Sequence, residues 1–101
     1  MTDQDQSHRL THDPVRWIMK LQHAAQQSGV LSLWTVYDPP TDFPDNFVAR
    51  RFTTDREGVH VTENVMVGQS LSGLRMVMRM SGLTCIQRSP QDDRNILETW
   101  L

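Results

Sequence analysis

The chain has 101 residues and a mass of 11.7 kDa, enough for one domain and one modest core in which roughly 60 to 65% of the unfolded surface is buried on folding. Hydrophobic residues make up 38% and charged residues 22%, too apolar for a disordered chain and too polar for a membrane span. A net charge of −2, spread along the sequence, gives no global field to attract nucleic acid, and the small size disfavours a large enzyme pocket.

The first twelve residues are polar and acidic, with no hydrophobic period and no basic start followed by an apolar core. They predict a flexible tail on a cytoplasmic protein. A helix follows over 13–29. Asp13 is a good N-cap, Pro14 suits the first turn, and Ser28-Gly29 supplies the stop. Trp17, Ile18, Leu21, Ala24, Ala25 and Ser28 form one stripe at helical spacing, so this amphipathic helix needs a surface to lie on. Packing on the sheet of its own chain is the default; gripping a partner is the alternative.

From Leu31 the pattern changes to period two. Leu31 to Tyr37 and Phe47 to Thr53 read as strands rich in aromatic and β-branched residues. Between them lies a stiff, acidic loop containing Asp38, Pro39, Pro40, Asp42, Phe43, Pro44 and Asp45, a candidate protein-contact surface. Asp55-Arg56-Glu57-Gly58 is a hairpin turn, which pairs the second strand antiparallel with a third from Val59 to Val67. That third strand should be irregular near Glu63-Asn64, where a bulge or register change separates two apolar clusters.

Ser70 is placed to cap a second helix, whose stripe is Leu71, Leu74, Val77, Met78 and Ser81 and whose left-handed stop is Gly82. Met76, Met78 and Met80 look like a methionine box, but residues at i, i+2 and i+4 do not share a helix face, so they read as packing filler. Leu83 to Arg88 and Ile96 to Leu101 read as the last two strands, joined by the polar turn at residues 89–93. Ending on Trp100-Leu101 predicts a terminus pinned in the sheet. The expectation is an α+β fold with a small antiparallel sheet, order α-β-β-β-α-β-β, and both helices packed on one face.

Leu31 to Leu101 carries W-T-V-Y-D-P-P-T-D-F-P-D-N-F-V-A-R-R-F, then G-L-T-C-I-Q-R-S-P-Q-D-D and I-L-E-T-W-L. In these blocks the chain resembles a set of short uncharacterised bacterial proteins that begin near the position of Trp34. The resemblance implies a shared small α+β fold and no activity. Met1 to Val30 lies outside it, which divides the chain into a tail, an appended helix at 13–29 and a compact domain at 30–101.

Motifs for chemistry are weak. His8 and His12 have metal-like spacing, but they precede the Asp13 cap and lack further ligands, so a solvated pair is expected and no metal or cofactor is predicted. The lone Cys85, between Thr84 and Ile86, excludes an intrachain disulfide and reads as a small packed residue. Gly68-Gln69-Ser70-Leu71-Ser72-Gly73 sits at a strand-to-helix turn but misses the nucleophile-elbow pattern, and no histidine follows it.

Nine of the ten basic residues are arginine. Arg50, Arg51, Ser70, Ser72 and Arg75 are therefore candidates for anion binding. Arg50 and Arg51 must point to opposite faces of their strand, and an inward one needs an acidic partner such as Glu63 or Glu98. Three classes of function follow. A non-catalytic protein-interaction or accessory module, with a protein partner or a homodimer, comes first. A nucleic-acid or anionic-ligand binder comes second, opposed by the acidic loop. A small enzyme is the third, lacking any visible acid, base and nucleophile set.

Overall fold

The structure, a computed structural model, describes residues 13–39, 41, 44–86 and 95–101. Two helices, α1 (Pro14–Gln27) and α2 (Leu71–Met80), accompany five strands: β1 (Leu31–Tyr37), β2 (Phe47–Asp55), β3 (Gly58–Gly68), β4 (Cys85–Ile86) and β5 (Ile96–Trp100). The fold is α+β in the expected element order.

Helix ends form where the local chemistry requires them. Asp13 Oδ1 accepts from the amides of Val15 at 3.0 Å and Arg16 at 3.2 Å, meeting two donors that the first turn leaves unpaired. Gly29, at φ 70°, lets the chain leave α1 in the left-handed region. At α2 the Ser70 hydroxyl accepts from the Gly73 amide at 3.1 Å, and Gly82 turns the chain out at φ 86°.

The sheet runs β3-β2-β1-β5-β4, with every pairing antiparallel. β1 to β3 form a meander. The chain then crosses α2 and returns as the β4–β5 hairpin on the other side of β1. In register, Trp34 of β1 stands between Arg51 of β2 and Trp100 of β5, and Val36 faces Ala49. Side chains alternate along a strand, so Trp34, Val36, Ala49 and Trp100 share one face. They form a single core with Ile18 of α1 and with Leu74 and Met78 of α2. Both helices therefore lie on that face. Trp17 meets Trp34 edge to face at 5.5 Å, and Ile18 is fully buried, so α1 is an integral part of the core.

The irregularity expected at Glu63-Asn64 is present. Arg50 pairs with Val65 while Phe52 pairs with Val61, so Arg51 stands opposite a bulge of Thr62, Glu63 and Asn64. The bulge shapes a socket for the buried Arg51. Its Nε donates to Ser32 Oγ at 2.8 Å and its Nη1 to Asn64 Oδ1 at 3.0 Å, while Nη2 reaches the Leu21 carbonyl of α1 at 3.5 Å. Gln22 extends the network, accepting from Ser32 Oγ and from Trp34 Nε1 at 3.2 Å. The inward arginine is thus Arg51, and its partners correct the expectation of a carboxylate. Among the described residues three neutral oxygens receive it, and burial lowers its pKa.

Other expectations are corrected as well. Cys85 is exposed: β4 is an edge strand, and nothing described lies beyond it to cover the thiol. Of the methionines, Met78 is fully buried, but Met76 and Met80 are exposed because α2 turns only one stripe to the sheet. The described part of the fourth strand is limited to Cys85 and Ile86, and Gln87 and Arg88 lie outside the described residues. Leu101 follows the end of β5 and still pairs with Thr84, by backbone bonds of 2.7 and 3.0 Å. The tail of residues 1–12, with His8 and His12, and the turn at 89–93 also lie outside the described residues.

Candidate interaction surface

The alternation that turns Trp34 and Val36 to the helices turns Leu33, Thr35 and Tyr37 away from them. The register carries this second face across the sheet in rows. Leu33 aligns with Phe52 and Val61, Thr35 with Arg50 and Val65, and Tyr37 with Val48 and Val67. Leu31, Thr54 and Val59 form a further row. No described helix or loop covers these rows. Val59 and Val61 are each 68% exposed and Val67 is 59% exposed, values normal for charged surface residues. Thr35 alone is buried here, a small side chain among larger neighbours.

The three strands that carry the rows, spaced about 4.8 Å apart and about seven residues long, make a face of roughly 14 by 23 Å. Its projected area, roughly 300 Å², is that of the largest contiguous apolar patch on an ordinary monomer, a size that often marks a functional surface. Arg50 is the one charged residue in the rows, and the exposed Glu63 stands beside them at the β3 bulge, between Val61 and Val65. Its side chain forms no hydrogen bond or ion pair with any described residue.

The other candidate residues are dispersed. Arg51 is committed to its socket on the helix side. Arg75 forks onto Glu98, with Nε–Oε1 and Nη2–Oε2 distances of 3.0 Å each. That hydrogen-bonded pair raises the Arg75 pKa. Burial pushes the Glu98 carboxyl up, but the Arg75 fork and the Trp100 indole, donating at 3.1 Å, hold it below its ordinary value overall. Arg79 stacks over the Trp100 ring at 5.7 Å. Ser70 caps α2 and touches the Ser72 hydroxyl at 3.4 Å. Arg50, Arg51, Ser70, Ser72 and Arg75 therefore do not converge on one anion site.

In the acidic loop, Asp38, Pro44 and Asp45 are exposed and Pro39 is half-buried, while Pro40, Asp42 and Phe43 lie outside the described residues. The Asp38 amide donates to the Asn95 carbonyl at 2.8 Å, tying the start of the loop to the approach to β5. A separate cleft of about 640 Å³ opens beside Pro14, Trp17, Met66, Ser70, Leu74 and Val77. Its lining holds no acid, base or thiol. No cluster of three or more potential metal ligands occurs among the described residues, and no described helix is long and apolar enough to cross a membrane.

No protein-family model matches the chain, and neither a curated protein nor a solved structure does.

The sequence signal for the open face lies in its strands. β1 carries Leu31, Leu33 and Tyr37 on one side and Trp34 and Val36 on the other, and β2 sets Val48 and Phe52 against Phe47 and Ala49. Strands apolar on both sides belong to sheets covered on both faces. Two helices, both on the same face, cover only one.

Proposed function

We propose that this protein is a cytoplasmic, non-catalytic interaction module that docks through the open face of its sheet onto the apolar surface of another protein. The observation carrying this reading is the set of aligned apolar rows on a sheet face that no described helix or loop covers. The cleft agrees with it, since its lining holds no acid, base or thiol to activate the Ser70 hydroxyl there. The lone Cys85 agrees with a reducing compartment.

Site-specific photo-crosslinking in host cells tests the reading. A photoreactive residue at Val61 should trap a discrete protein that the same residue at Gln26, exposed on α1, does not trap. Equal labelling from both positions, or none from Val61, would sink it.

A further inference from the structure

We infer that the partner element is an amphipathic helix whose apolar stripe carries one carboxylate, received by Arg50. This rests on the open face being the docking surface. Its basis is the chemistry of the middle row. Arg50 lies between Thr35 and Val65 in register, with Val48 and Phe52 two residues away on the same side of β2, and its guanidinium has no hydrogen-bond or ion-pair partner among the described residues.

A purely apolar cover would strip water from that guanidinium and return nothing, a strongly unfavourable exchange. A carboxylate meets it with two parallel charge-assisted hydrogen bonds. A second copy of this chain would bring two Arg50 cations together across a two-fold contact, and the acid nearest them, Glu63, stands at the β3 bulge and not in the Arg50 row.

The shape of the face points to a helix. The exposed valines of β3 and the Arg50 strand β2 form a strip about 10 Å wide, the width of one helix with its side chains. Seven strand residues, about 23 Å, match roughly 15 helical residues. The opposite face shows the same solution in this protein, where helices of 14 and 10 residues cover the sheet.

The probes are designed helical peptides of about 18 residues with a leucine stripe, identical except for Glu, Gln or Lys at the stripe's centre. They are titrated into the isotope-labelled full chain and followed by backbone amide shifts. The Glu peptide should shift the amides of β2 and β3 and bind about tenfold tighter than the Lys peptide, and Arg50→Glu should reverse the order. Arg50→Gln, with the charge removed and no new one added, should abolish the preference. Unchanged circular dichroism of both variants confirms their fold.

Indifference to the central residue overturns the inference, as do shifts confined to α1 and α2. A dimer by light scattering that Val61→Asp dissolves also overturns it, because a second copy then occupies the face. A crosslinked partner at Val61 combined with indifference to stripe charge leaves the interaction reading standing and removes only the acidic helix.

Discussion

Replacing Arg51 by methionine tests the bonding that holds α1 to the sheet. The substitution retains an unbranched apolar stem of similar reach and removes the guanidinium alone. Two short bonds are lost, to Ser32 Oγ at 2.8 Å and to Asn64 Oδ1 at 3.0 Å, together with the longer contact to Leu21. Hydrogen bonds to a charged group contribute about 1.5–3 kcal/mol each. Against them stands the cost of burying a cation, which the lowered pKa of Arg51 registers. The balance is a loss of about 2–3 kcal/mol, from a total stability of about 5–15 kcal/mol for a chain of this length. It should appear as a fall in melting temperature of roughly 10–20 °C, and as an earlier urea midpoint followed by tryptophan fluorescence. Arg51→Met melting with the wild type, or above it, would refute the reasoning, since the desolvation of the charge would then outweigh its bonds. A double-mutant cycle with Asn64→Ala isolates one bond and should return a coupling of about 1 kcal/mol or more.

Three further outcomes are expected. An added Cβ at Gly68 would lie 2.9 Å from Leu74 Cδ2 in the core, so Gly68→Ala should lower stability by about 1–3 kcal/mol in urea titrations, and an unchanged midpoint would contradict that contact. Glu98 has a depressed folded-state pKa, so its stabilisation is present above its ordinary value of 4.5 and is lost as pH falls through the folded value. Glu98→Gln should be less stable than wild type by about 1–2 kcal/mol at pH 7, and the gap should close in unfolding series taken below pH 4.5, whereas a constant gap would count against the Arg75–Glu98 pair. Finally, Cys85 should react with a thiol reagent in the folded protein without denaturant, and more slowly at neutral pH than a free thiol, because burial and then the Glu98 charge push its pKa up; a thiol silent until unfolding would disprove its exposure.

The features written in short stretches of sequence were legible. Asp13 with Pro14, Ser70, Gly29 and Gly82 act through bonds and backbone angles within a few residues, so residue type alone locates both helices. The bulge at Glu63-Asn64 was visible as a broken alternation. Long-range partners were hidden. The oxygens around Arg51 come from residues 21, 32 and 64, and no local pattern announces that three neutral groups will replace one carboxylate. Met76 and Met80 were misplaced because membership of a helix does not say how much of its circumference the sheet covers. For the interaction surface, the two-sided apolarity of β1 and β2 was present in the sequence. Only the placement of both helices on one side turned it into an uncovered face.

The polar network at the α1 interface also bears on how this sequence can drift. Gln22, Ser32, Arg51 and Asn64 sit on four different elements, and each satisfies another's donor or acceptor. A change at one position leaves a buried group of its neighbour without a partner, so single substitutions are penalised more than joint ones. Among diverging descendants of this chain, the four positions should be inherited together or replaced together by apolar side chains, a linked pattern of substitution that the freely varying, solvent-facing positions of α1 need not follow.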